Sequence, residues 1–243
     1  MGIVRMGPPE DLVLLLKRDL NVSTFVETGT FKGVTAAWAA KHFERVFTIE
    51  NSKMYFDEAA NNYKYLQNIE FLFGDSRAVL KNVVTKICEP AIFWLDAHWC
   101  SMDSCGAEDQ CPIIEELNLI RSTGIKHCIF IDDARLFLSP PPFPNKREQW
   151  PTIDEICSNI QLISKSYYIV VFEDVIIAVP DDARSLVAEY CQVANTKAWQ
   201  DHGKHITPVP KGLDMINQGV RVVARDAWGK FNKLFVPNGV GSN

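Results

Sequence analysis

Two short stretches of this chain concentrate its acidic chemistry. "IFWLDAHWCSMDSCGAEDQC", Ile92 to Cys111, is an apolar run that leads into Asp96 and His98, then into a loop with three cysteines and three further acids. "HCIFIDDA" ends a second apolar run in the pair Asp132–Asp133. Read alone, the first stretch admits a zinc knuckle, a hydrolase site or one edge of a different metal site. The spacing speaks against zinc: His98, Cys100, Cys105 and Cys111 are separated by gaps of one, four and five residues, without the paired C-x₂₋₄-C of a knuckle. Carboxylates are hard oxygen donors and suit Mg²⁺ or Mn²⁺ better. Glu108, Asp109 and Gln110 then read as contacts on the rim of a pocket.

A second group of residues has the chemistry of nucleoside binding. "FVETGTFKG" puts Gly29 and Gly33 in a strand-to-helix turn, where a ligand can approach the backbone closely. Glu50 ends the next apolar run, where a carboxylate can accept hydrogen bonds from a ribose diol. Asp75, in "GDS" after the third run, is placed to recognise an adenine amino group. The turn lacks the G-x-G-x-x-G pattern of a pyrophosphate cradle, which a nucleoside cofactor without pyrophosphate does not need. An NAD-dependent oxidoreductase remains an alternative, because Glu50 lies 17 residues beyond Gly33.

The elements that must position these residues alternate along the chain. "STFVETG", "RVFTIE", "IEFLFGDS", "AIFWLDAH" and "HCIFIDDA" read as strands, with helical patterns such as "VTAAWAAKHF" and "PIIEELNLIRST" between them. Near-continuous apolar strands separated by helices predict a mostly parallel sheet covered on both faces. "YYIVVFEDVIIAVP" predicts two strands around Glu173–Asp174, antiparallel because a parallel return needs a long crossover. Ser139 to Trp150, proline-rich, reads as an exposed loop that could serve as a lid. After Pro180 the regularity weakens to one more helix and a candidate strand "GVRVVA". The expected division is therefore a domain at 1–180 and a C-terminal extension at 181–243.

Composition sets outer limits. The 243 residues are 47% hydrophobic, enough for a substantial core, and the formal charge of -5 argues against a nucleic-acid backbone as the main partner. "LVLLL" at Leu12 to Leu16 is far too short for a signal core or a membrane span, so no membrane insertion is expected. Seven scattered cysteines fit a reducing, cytoplasmic setting better than a disulfide scaffold.

Together "ETGTFKG", Glu50 and "GDS" resemble the cofactor motifs of class I S-adenosylmethionine-dependent methyltransferases, over roughly Ser23 to Pro180. The resemblance implies a Rossmann-like α/β fold whose seven-stranded, mostly parallel sheet has its last strand antiparallel. It places Glu27 and Gly29 on the methionine side of the cofactor, Gly33 in its turn, Glu50 on the ribose, and Asp75 and Ser76 by the adenine. "LDAHW" and "IDDAR" further resemble the acidic motifs of metal-dependent sugar O-methyltransferases of macrolide and aminocoumarin biosynthesis. Carried over, Asp96, Asp132 and Asp133 become ligands of Mg²⁺ or Mn²⁺, converging beyond the cofactor's methyl group. His98 falls where those enzymes have an Asp as general base, and imidazole is chemically adequate for that task.

The expected function is O-methylation of a sugar or glycan hydroxyl by S-adenosylmethionine with a divalent metal. A catechol-like diol is the alternative acceptor, and a non-catalytic methyltransferase-fold binding module is the alternative outside enzymology. Some relatives of this type are domains of larger glycan-building proteins, so the chain could be one such domain. Homo-oligomerisation is left open.

Overall fold

The computed structural model describes residues 6–99 and 108–204. The candidate strand "GVRVVA", Cys100 and Cys105 lie outside the described residues. The chain divides into two compact units, Met1–Glu189 and Tyr190–Asn243.

The first unit opens with α1 (Glu10–Asp19), followed by β1 (Thr24–Thr28), α2 (Val34–Ala39), β2 (Arg45–Glu50), α3 (Lys53–Asn62), β3 (Ile69–Phe73) and α4 (Ser76–Val84). It continues with β4 (Ala91–Leu95), α5 (Ile113–Ser122), β5 (Cys128–Ile131), the single turn α6 (Arg135–Leu138) and α7 (Ile153–Ile163). The hairpin β6 (Tyr168–Phe172) and β7 (Val175–Val179) follows, and α8 (Arg184–Lys204) runs on into the second unit. The "LVLLL" run is the inner face of α1, with Leu12, Val13 and Leu16 fully buried.

The sheet order is β3-β2-β1-β4-β5-β7-β6. β1 to β5 are mutually parallel, and β7 is antiparallel to both β5 and β6. This is the Rossmann-like class I methyltransferase fold. Every residue of β1, β4, β5 and β7 is buried, as required of strands covered on both faces. On one face Leu80 and Val83 of α4, Ile113 and Leu117 of α5, and Ile156 and Ile160 of α7 pack into the main apolar cluster. Elsewhere Phe25 of β1 meets the rings of Trp38 and Phe43.

The β6–β7 turn has positive φ at both Glu173 (45°) and Asp174 (69°), the backbone of a two-residue hairpin that matches strand twist. Because β1 lies between β2 and β4, the sheet reverses its order there. The carboxyl ends of β1, β2 and β4 therefore frame the crevice where ligands bind in open α/β sheets. Among the described residues no helix is long and apolar enough to cross a membrane.

Candidate active site

The β1–α2 turn is shaped by its glycines. Gly29 has φ +86°, and a Cβ there would lie 2.2 Å from the carbonyl oxygen of Asp96. Only hydrogen fits between the ends of β1 and β4. Gly33, φ +74°, caps the start of α2, and a Cβ there would crowd Ala59 of α3 and Tyr63 just after it at 3.0–3.1 Å. The Gly29 amide is fastened to the Ile49 carbonyl at 2.9 Å, so the turn leans on β2.

Two acids look onto this turn. Glu27 is buried and accepts a hydrogen bond from the Thr48 hydroxyl at 2.5 Å. Burial pushes its pKa up to about 8, opposed by the Thr48 bond and reinforced by the nearby charges of Asp96 and Glu50. No Lys or Arg pairs with it among the described residues. Glu50, at the end of β2, accepts from the Phe31 amide and the Ser52 amide, both at 2.7 Å and one on each carboxyl oxygen. The two bonds fix its orientation and leave each oxygen a further lone pair.

Asp75, expected by the adenine, is also engaged within its own segment. It caps α4, accepting from the Arg77 amide at 2.9 Å, and its carboxylate is gripped by the same arginine at 2.9 and 2.6 Å. Those contacts with Arg77 hold its pKa below the usual carboxylate range. Arg77 also pairs with Asp109. Ser76, the first residue of α4, is buried beside the cap.

The acidic residues after β4 and β5 do come together, since Leu95 and Ile131 are paired in register. Asp96 and Asp132 are both shifted upward, by burial first and then by neighbouring acids: Asp132 and Asp133 act on Asp96, and Asp133 and Asp174 act on Asp132. The Asp96 side chain keeps 29% of its surface open. Asp133, at φ +55°, turns elsewhere. Its Oδ2 lies 2.9 Å from His98 Nε2 and its Oδ1 2.6 Å from Arg135 Nη1. Burial opposes, but those two partners bring its pKa below the ordinary value. Arg135 also pairs with Asp174 from the β6–β7 turn.

The expected three-carboxylate metal centre is thus divided: Asp96 and Asp132 stand side by side, while Asp133 is committed to His98 and Arg135. Among the described residues no group of three or more His, Cys, Asp or Glu is arranged to hold an ion. Asp96 and Asp132 alone still suit Mg²⁺, which characteristically takes one or two carboxylates and completes its shell with water or substrate oxygens.

His98 has no exposed side-chain surface. Its ring is wedged edge-on against Trp150 and Phe137, and its Nδ1 lies 4.0 Å from Asp96 Oδ1. The geometry gives it no open face towards an acceptor. Gln110, read as a rim contact, is also buried; its side-chain carbonyl accepts from Trp150 Nε1 at 2.9 Å and the Lys146 amide at 2.8 Å. Glu108 pairs with Lys146. These bonds tie the Ser139–Trp150 segment to the loop before α5.

Sequence reasoning passed over Glu116. It lies on the buried face of α5, three residues after Ile113 and four before Ile120, with no exposed surface. An acid on the apolar stripe of an amphipathic helix was the signal that could have found it.

No protein-family model matches this chain. No curated protein sequence matches it either. Solved structures do. A protein assigned as a caffeoyl-CoA O-methyltransferase, from Staphylococcus aureus, is similar with a TM-score of 0.52 and 16% identity, over 73% of this chain and 86% of that one. An O-methyltransferase from Bacillus cereus, in complex with SAH, gives a TM-score of 0.49 and 18% identity over 72% and 82% of the respective chains. By sheet order, by its antiparallel β7 and by likeness to the S. aureus structure, the chain has the fold of the class I S-adenosylmethionine-dependent methyltransferases.

Proposed function

We propose that this protein is an S-adenosylmethionine-dependent O-methyltransferase. The observation that carries the reading is the Glu27–Gly29–Glu50 arrangement at the point where the sheet order reverses. Glu27 is a buried carboxyl with no fixed cation among the described residues, which suits the ammonium group of the cofactor's methionine. Gly29 brings the backbone close, and Glu50 is preset by two amides to receive the ribose hydroxyls. Ser76 then stands on the purine side. Asp75 supports that side as a helix cap, its carboxylate being occupied by Arg77.

For the acceptor half, Asp96 and Asp132 are the residues that would hold Mg²⁺ or Mn²⁺, with Asp133 a third ligand only where it leaves Arg135. When bound, such an ion supplies Lewis-acid activation of a hydroxyl. Asp96, partly open, is the carboxylate an incoming acceptor meets. His98 is assigned as a positioning residue that holds Asp96 and Asp133 in place. Methyl transfer itself needs in-line placement of the acceptor oxygen and no covalent protein intermediate.

The acceptor we favour is a sugar or glycan hydroxyl, on the likeness of "LDAHW" and "IDDAR" to the sugar enzymes' motifs. A phenolic diol is the second reading, prompted by the name of the S. aureus protein.

The metal assignment is tested by exhaustive chelation. Turnover should vanish with EDTA and return with Mg²⁺ or Mn²⁺, while calorimetric binding of S-adenosylmethionine survives. Full turnover in protein shown to be metal-free would remove the ion from the account.

A further inference from the structure

Glu116 is the least accounted-for ionisable group in the fold. Its side chain is completely buried on α5, and neither carboxyl oxygen makes a hydrogen bond. The Thr28 hydroxyl, also fully buried, is unpaired as well. Thr28 and Ser76 are the hydroxyl groups beside the carboxyl. Both are near enough to draw its pKa down against burial, yet neither meets the geometry of a bond to it. Burial prevails and raises the group to about 7. The charged and titratable groups near it include His98 beyond β4, which lowers it, and Asp75 at the cap of α4, which raises it further, together with the buried Cys111 thiol, whose own pKa Glu116 helps to raise. Glu115, its neighbour on α5, is exposed.

The placement is specific. Thr28 is the last residue of β1, directly before Gly29, and Ser76 is the first residue of α4. Glu116 reaches from α5 to the place where two cofactor-facing segments meet. An unpaired buried carboxyl costs about 1–3 kcal/mol, a penalty that small apolar replacements at the same site would avoid.

We infer that Glu116 is a positioning residue of the cofactor site: a neutral carboxyl that accepts from the Thr28 hydroxyl and donates to the Ser76 oxygen, leaving the Ser76 proton free for a ring nitrogen of the cofactor's purine. An ionised carboxylate can only accept. It would draw the Ser76 proton inward and leave the purine without its donor. Charge at Glu116 therefore sets whether Ser76 presents a donor or an acceptor. This rests on the S-adenosylmethionine reading above.

The test is calorimetric titration of the full chain with S-adenosylmethionine from pH 6 to 8.5. Glu116→Gln keeps an acceptor oxygen and an N–H donor group at every pH. It should match wild type at pH 6 and lack whatever part of the wild-type affinity loss between pH 6 and 8.5 belongs to Glu116. Glu116→Leu should weaken binding about 10-fold, the scale of one lost hydrogen bond. Adding Ser76→Ala to Glu116→Leu should cause little further loss, because both act through one hydroxyl. Wild-type binding with equal affinity in Glu116→Leu would overturn the inference and spare the cofactor reading. So would fully additive losses, or identical pH profiles in wild type and Glu116→Gln, a variant that removes no volume. Wild type that does not bind S-adenosylmethionine would overturn both.

Discussion

The two halves of the sheet's carboxyl edge treat their acids differently. On the β1–β2 side, Glu27 and Glu50 are held by uncharged groups: one hydroxyl for the first, two backbone amides for the second. On the β4–β5 side, Asp133 is part of a chain of charges through His98, Arg135 and Asp174. The first arrangement is geometrically set and electrically incomplete, as a site awaiting a cationic, hydroxyl-rich ligand would be. The second has neutralised one of its three adjacent carboxylates and left Asp96 and Asp132 raised by burial and by neighbouring acids. On the proposed function, the first half would receive the cofactor and the second the acceptor.

The largest effect is expected where the two halves touch. Gly29→Ala drives a methyl group into the Asp96 carbonyl and strains a positive φ. Together these should cost about 3 kcal/mol or more. On a domain of this size that is a fall of roughly 10 °C in melting temperature. S-adenosylmethionine binding should disappear with it. A variant that melts and binds like wild type would show that β1 and β4 are not so close.

Next comes His98→Ala, which removes the ring that bonds Asp133 and fills the space beside Asp96. Turnover should fall about 10²-fold, the lower end for loss of an acid–base network member, while cofactor affinity stays within a few-fold. His98→Asn should recover part of the rate if position is the point. Equal loss in both variants would favour a proton-transfer role instead.

How far the sequence foretold these contrasts depends on distance along the chain. Strands β4 and β5 were legible as short unbroken apolar runs, and β1 to β3 as short β-branched and aromatic stretches followed by turn or helical patterns. The β6–β7 hairpin was legible because two polar residues interrupt one long run. The glycine turn and Glu50 were local features too. Residues whose roles depend on distant partners were harder to read. His98 is enclosed by Phe137 and Trp150, and Gln110 is used by Lys146 and Trp150, all more than thirty positions away. Asp75 is an instructive middle case: its competitor, Arg77, is only two residues on, yet which donor it would accept depended on the fold around the cap.

A smaller effect is a pH dependence of stability that Glu27 contributes. Glu27 is raised to about 8 by burial, from 4.5. Between those values the folded state keeps a proton that the unfolded chain has released. Its contribution is therefore complete below about pH 4.5 and is lost as pH rises through about 8. Glu27→Gln cannot titrate, so its unfolding free energy, from urea denaturation at several pH values, should decline less than wild type between pH 5 and 8. Parallel curves would mean that Glu27 ionises as readily folded as unfolded.

The central claim is tested most directly by titrating S-adenosylmethionine into the wild-type chain and into Glu50→Ala. Wild type should bind with a single site, and the variant should lose about 1–3 kcal/mol, the worth of charge-assisted hydrogen bonds to the ribose. Binding of NADH in place of S-adenosylmethionine, or an affinity for S-adenosylmethionine indifferent to Glu50, would contradict the assignment.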